Sequence, residues 1–362
     1  MTARSILFVY RLVGVLMNAL YLKRRSIDGV KKLKKVSKST VLILEEAEKN
    51  QIEWKKIPYT DLFKLKYKDQ TRYFHAQIPS STTEFAAYCC DNKRISRNIL
   101  IEAGISVSKG YQIEYEDEKP YRLSLFNNLK KPLVVKPVND QQGNNVHLNI
   151  NTQEEYITAT KEIYKFYGRK KIEILVEEMF QGDEYRILAS QTKILSVIKR
   201  LPANITGDGK STIEKLIEIK NQDPLRERVD TYKKISIDSK VLEHLKQQSL
   251  NLQSIVPNKK RILLRPHSPL DISLGGDTID ITSKIHPSVK KIVHTIMKSI
   301  PGLALTGIDY MSKNIYSEQT PDNYKIIEIN ASPSLDWNEF PIEGPRRKIA
   351  KEFLKIMFPE LK

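Results

Sequence analysis

The chain has 362 residues, 40% of them apolar and 28% charged, a length that allows more than one lobe and a composition that excludes wholesale disorder. Its two cysteines, Cys89 and Cys90, are adjacent; with no CxxC or Cys/His ligand spacing, they argue against a disulfide framework and structural zinc, and for buried thiols in a reducing, cytoplasmic setting. The net charge of +17 would alone suggest nucleic acid, but residues 1–38 hold ten Lys and Arg against Asp28, so the remaining body is only mildly basic and nucleic acid is disfavoured as a partner.

Residues 5–22 (SILFVYRLVGVLMNALYL) are apolar but broken by Arg11 and Asn18. The stretch is short for a membrane span and lacks a small-residue cleavage site before the basic run, so it is not read as a signal peptide. Ile6, Val9, Val13 and Leu16 keep helical spacing, which favours an amphipathic helix packed on the body. A homo-oligomer contact, or a basic helix resting on anionic membrane through residues 1–35, stays open.

From Thr40 onward strands and helices alternate. Residues 40–44 (TVLIL) begin either a strand or a helix, and residues 51–56 and 73–78 read as extended. Residues 91–103 (DNKRISRNILIEA) predict a helix with Ile95, Ile99, Leu100 and Ala103 on one side and Gly104 as its stop. Residues 132–137 (PLVVKP) and 172–180 (IEILVEEMF) predict strands, and residues 186–200 a hairpin turning at 191–193. The TGDG turn at 206–209 precedes a helix, and residues 226–283 form a polar insertion with its own helix. Residues 307–310 (GIDY) and 324–330 (YKIIEIN) predict paired strands, and residues 346–357 a closing amphipathic helix.

Three residues carry the strongest chemical signal. Glu328 and Asn330 are two apart in a strand and share a face, and Asp309 on a neighbouring strand can meet them. Three oxygen donors of this kind suit magnesium, with nucleotide phosphates and water completing its shell. Acids at strand ends more often simply face solvent, but here apolar surroundings would make an uncompensated carboxylate costly. Lys136, inside PLVVKP, is by itself an ordinary surface lysine; facing inward it would need an anion such as phosphate. The loop beside it, with Gly143, Asn144 and Asn145, can adopt turns that point backbone N–H groups at phosphate. Residues 176–186 (VEEMFQGDEYR) can read an adenine edge through the backbone and ribose through a carboxylate, or form a plain charged edge strand. No HxH or HExxH spacing occurs, nor any Ser/His/Asp or Cys/His nucleophile set.

Taken in order, residues 91–110, 134–150 (VVKPVNDQQGNNVHLNI), 175–186, 199–213 (KRLPANITGDGKSTI), 221–225 (NQDPL), 273–282 (SLGGDTIDIT) and 327–334 (IEINASPS) resemble the ATP-grasp ligases. The likeness is to the amino-terminal and ATP-grasp portions of cyanophycin synthetase and the ATP-grasp domain of bifunctional glutathione synthetase, and runs from about Ser39 to Pro359. It implies an α+β ATP-grasp fold: a small α/β amino-terminal domain at 38–90, then subdomains at 91–170 and 171–362 that clasp the nucleotide. Lys93 and Lys136 are then expected at the phosphates, Glu177 and Glu184 at adenine and ribose, and Phe180 against the adenine. Asp309, Glu328 and Asn330 fall on the magnesium positions, where manganese can substitute, and Arg186 and Arg200 face the phosphates or acyl phosphate.

The implied activity joins an amino-acid or peptide carboxylate to an amine, through an acyl phosphate, with release of ADP and phosphate. Asn145 stands where close relatives carry a second loop glycine, which asparagine tolerates. The second ligase halves of both relatives are missing, which predicts a single ligation. The competing reading, a non-catalytic nucleic-acid- or membrane-binding protein on a retained fold, rests on the basic lead and leaves Lys136, Asp309, Glu328 and Asn330 unexplained.

Overall fold

A computed structural model describes residue 33 and residues 36–114, 119–138, 145–168, 172–227, 232–266 and 274–362. The readings of residues 1–32, of Gly143 and Asn144, and of Ser273 lie outside these described residues. Chain order begins α1 (Lys38–Lys49), β1 (Glu53–Lys56), β2 (Leu62–Tyr67), β3 (Gln70–His75), β4 (Ile78–Pro79), α2 (Glu84–Asp91), α3 (Lys93–Glu102), β5 (Gly110–Ile113) and α4 (Lys119–Asn127). It continues with β6 (Leu133–Pro137), β7 (His147–Ile150), α5 (Gln153–Tyr167), β8 (Ile174–Glu178), β9 (Asp183–Ser190), β10 (Ile194–Leu201), β11 (Asn204–Thr206), α6 (Ile213–Asn221), α7 (Pro224–Glu227) and α8 (Ser239–Gln247). The last elements are β12 (Arg261–Leu263), β13 (Asp277–Asp280), α9 (Pro287–Ser299), β14 (Leu305–Ser312), β15 (Tyr324–Asn330), α10 (Asp336–Glu339) and α11 (Ile349–Met357).

The described residues fall into two compact units, one drawn from those up to Ser80 with Leu195–Thr282 and Ser334–Lys362, the other from Ser81–Ile194 and Ser283–Pro333. In the first unit the TVLIL run is helical. Ser37 caps α1 by accepting from the Thr40 amide at 3.1 Å, and Leu42, Ile43, Leu44 and Ala47 are all buried, more than one face of a strand presents. Strands β1 to β4 form an antiparallel meander; Phe63 stacks on Phe74 at 5.1 Å, and Phe74 meets the edge of Phe353 at 5.7 Å. The insertion shares a core with β11 and α6: Ile205, Ile213 and Ile217 from those elements pack with Val241, Leu245 and Leu264 from the insertion. β10 pairs antiparallel with β13, which sets Arg200 opposite Thr278.

In the second unit β5, β8, β6 and β7 form one antiparallel sheet. Its core includes Ile113, Val135 and Val176 from the strands, Phe126 from α4, and Tyr156 and Ile163 from α5. β14 pairs antiparallel with both β9 and β15. The segment at 91–103 is not one helix: α2 ends at Asp91, and Asn92 restarts the chain as the cap of α3, accepting from the Arg94 and Ile95 amides. Gly104 at φ +73° ends α3 as its position suggests. Cys89 and Cys90 are buried, unpaired thiols. Among the described residues no helix is long and apolar enough to cross a membrane.

In the first unit α1 also carries a buried acid. Burial pushes the Glu45 carboxyl up from 4.5 to about 7, and Glu48, Glu339 and Glu46 push the same way against Arg346. Burial raises Glu339 as well. The folded state therefore holds protons that the unfolded chain has lost, so this contribution to stability is full below the unfolded value and is lost as pH rises through the folded one. The thermal unfolding midpoint is expected to fall between about pH 5 and pH 7.5. Glu45→Gln, which cannot ionise, should flatten that fall and raise the midpoint above pH 7; an unchanged slope on melting across that range counts against the assignment.

Candidate nucleotide and metal site

The paired strands at 307–310 and 324–330 form as the alternation suggests, and their register does the rest. Asp309 lies opposite Glu328 on β15 and opposite Arg186 on β9, while Gly307 lies opposite Asn330. The β14–β15 register shifts just after Asp309, an irregularity of the kind that re-aims side chains near sites. One face of these strands thus carries Glu184, Arg186, Asp309, Glu328 and Asn330. The other face is core: Tyr185, Ile187, Ile308, Tyr310 and Ile329 are buried, and burial pushes the Tyr185 and Tyr310 phenols well above their ordinary range, which keeps both neutral.

The charges on the open face answer one another. Arg186 Nε stands 2.9 Å from Asp309 Oδ1, and Lys93 Nζ, from the start of α3, stands 3.7 Å from Glu328 Oε2. The Asn330 amide, oriented by its hydrogen bonds, donates to Glu328 Oε1 at 2.8 Å and accepts from Arg186 Nη1 at 2.8 Å. Gly307 makes room for this: a Cβ there would come within 2.8 Å of both Arg186 Nη1 and Pro333 Cβ. Among the described residues no group of three or more His, Cys, Asp or Glu side chains is placed to hold a metal. The set here is two carboxylates and an amide, oxygen donors that fit a hard divalent cation sharing its shell with phosphates and water.

A second cluster lies in the same unit. Lys136 and Glu177 are both buried, and Lys136 Nζ meets Glu177 Oε2 at 2.6 Å. The inward lysine thus has a protein carboxylate as its partner. Glu177 Oε1 also accepts from Arg97 Nη1 at 2.7 Å. Gly110 on β5 is the facing residue, and a Cβ there would meet Val176 O at 2.5 Å and Glu177 Cγ at 2.7 Å. A cavity of about 440 Å³ opens beside these residues, lined by Arg97, Gly110, Glu178, Met179, Phe180 and Lys325 among others. Phe180 is half-buried there with Lys313 Nζ 5.9 Å from its ring centroid.

The structure therefore brings together Lys93, Arg186, Asp309, Glu328 and Asn330, pairs Lys136 with Glu177, and sets the buried Glu184 two residues from Arg186 on the same face. Arg200 is buried on β10 in the other unit. The sequence reading lacked Arg97. Its one signal was its place four residues after Lys93, which stacks the two cations on one face of α3.

The structure matches the crystal structure of a bifunctional glutathione synthetase from Pasteurella multocida with a TM-score of 0.72 at 26% identity, over 90% of this chain and 45% of that one. This chain has the ATP-grasp fold. It is 32% identical over 324 residues to a glutathione biosynthesis bifunctional protein of Clostridium perfringens, covering 88% of this chain and 41% of that protein. It is 30% identical over 325 residues to a cyanophycin synthetase of Synechocystis sp., covering 89% of this chain and 36% of that one. The chain thus spans less than half the length of these curated relatives. No family model matches it. The α+β reading of the sequence agrees with this ATP-grasp architecture.

Gly307 gives a direct test of the packing of Arg186 over β14. Gly307→Ala is expected to destabilise the protein by about 1–3 kcal/mol through overpacking against Pro333 and to displace Arg186. Denaturant unfolding measures the first effect, and a variant as stable as the parent would show that β14 has room to spare.

Proposed function

We propose that this chain is an ATP- and magnesium-dependent carboxylate–amine ligase acting on an amino-acid or peptide substrate. The observation that carries this reading is the open face of β9, β14 and β15, where two acids and an amide are held by two cations. Such a face is prepared for an exchange of partners: carboxylates turn to a divalent cation, and the released Lys93 and Arg186 turn to anionic oxygens. A bound magnesium, held by Asp309, Glu328 and Asn330, supplies the positive charge that offsets the phosphate oxygens.

In this reading Lys93 and Lys136 bind phosphate oxygens, with the backbone around Gly143 as a further source of donors. Phe180 packs against the adenine ring, Glu177 accepts from its exocyclic amine, and Glu184 accepts from the ribose hydroxyls. Lys and Arg side chains hold the substrate carboxylate in line with the γ-phosphorus, whose bond to ADP breaks as the new bond to the carboxylate oxygen forms. Arg186 and Arg200 carry the charge that collects on the acyl phosphate. The amine then attacks the carbonyl carbon, loses a proton, and phosphate departs. No protein nucleophile takes part. The names of the relatives, a glutathione biosynthesis protein and cyanophycin synthetase, support an amino-acid or short peptide as the acid.

Phosphate release from ATP with a panel of amino acids and dipeptides, followed by mass spectrometry of the products, tests the reaction: a new mass short of one water relative to its two substrates is expected. Asp309→Asn and Glu328→Gln should each lower turnover by about 100-fold or more without lowering the unfolding midpoint. Parental turnover in both variants would remove these residues from the site.

A further inference from the structure

Glu177 is one carboxylate between two cations. Its Oε1 receives Arg97 at 2.7 Å and its Oε2 receives Lys136 at 2.6 Å, and all three side chains are largely withdrawn from water. The two cations are held differently. Arg97 is fixed at both ends, since its second guanidinium nitrogen donates to the Ser108 carbonyl and its backbone lies in α3, which Asn92 caps. Lys136 sits on β6 at the end of a flexible four-carbon stem, a point charge that re-aims easily. The Glu177 stem passes where only a glycine leaves room, since a Cβ on Gly110 would come within 2.7 Å of Glu177 Cγ.

This asymmetry matters once Lys136 is asked to bind phosphate, and the role inferred for Arg97 rests on that nucleotide-binding function. A buried carboxylate left alone is strongly destabilising. Were Lys136 the sole partner of Glu177, every move of its ammonium toward a phosphate would strand that charge. With Arg97 in place, departure of Lys136 leaves a neutral, hydrogen-bonded Arg97–Glu177 pair. We propose that Arg97 is a positioning residue that keeps Glu177 neutralised, and so frees Lys136 for the nucleotide phosphates. Arg97 touches neither the phosphates nor the reacting atoms; it acts through Glu177.

Calorimetric binding of a magnesium complex of the non-hydrolysable β,γ-imido analogue of ATP to the full chain tests this without any knowledge of the acid or amine. Arg97→Met is expected to weaken binding about 10- to 100-fold, the range set by loss of a hydrogen bond to a charged group. Arg97→Lys should recover most of the affinity. The discriminating variant is the double one: in a Glu177→Gln background the amide needs no counter-charge, so adding Arg97→Met should weaken binding no further than about twofold. A merely structural role for Arg97 would lower affinity equally in both backgrounds.

Unfolding is followed in parallel without nucleotide, and Arg97→Gln, which retains a donor for the Ser108 carbonyl, carries the same expectation should Arg97→Met not fold. Parental affinity in Arg97→Gln, or losses that multiply in the double variant, would overturn the proposal. Lys136→Met separates the two readings. If it binds as the parent does, the nucleotide does not use this cluster at all; if it binds weakly while the Arg97 variants bind normally, only the role of Arg97 falls.

Discussion

An ionised carboxylate taken out of water without a partner costs several kcal/mol, and this chain meets that constraint repeatedly. Asp277 is 1% exposed and is held by Arg226, by Lys220 at 2.5 Å and by the Asn204 amide at 2.9 Å. Burial lowers the Lys220 ammonium while Asp277 opposes it, so the lysine's charge depends on the acid it neutralises. Asp280 is answered by Arg347 in the same unit. In both cases the carboxylate is sealed, at 1% side-chain exposure for Asp277 and 2% for Asp280, while Lys220 and Arg347 keep 20% and 26%. On the face of β9, β14 and β15 the same pairing is partly open: the Arg186 and Asp309 side chains keep 16% and 15% of their exposure, and Glu328 keeps 25%. The difference lies in the access of solvent to the carboxylate rather than in residue type.

Much of that face was legible in the sequence because strands have a period of two. Glu328 and Asn330 had to share a side, and an apolar hairpin partner carrying Asp309 had few registers that kept Ile308, Tyr310 and Ile329 inside. Lys136 stood out for a related reason, a lysine in an apolar strand. Its partner did not, since Glu177 is brought beside it only by the antiparallel pairing of β6 and β8. Arg97 was harder still. An arginine in an amphipathic helix usually marks a solvated face, and its carboxylate lies 80 residues further along the chain. The helical form of residues 40–44 was undecidable from the run itself, and was settled by the Ser37 cap and by tertiary burial of Leu42, Ile43 and Leu44.

Helix α3 links the two halves of the candidate site. Lys93 and Arg97 are one turn apart, about 6 Å between their Cβ atoms in any α-helix. The first reaches Glu328 on β15 and the second reaches Glu177 on β8. Each cation therefore serves a different sheet, yet neither can shift along the helix axis without the other. Under the proposed function, a change of partner at Glu328 and a change of partner at Lys136 would act on the same rigid element, whose start is fixed by Asn92 and whose end is fixed by Gly104. The amphipathic segment at 91–103 thus carries more than packing: with Asn92 dividing it from α2, its polar side becomes a short bar that spaces two carboxylates belonging to two sheets.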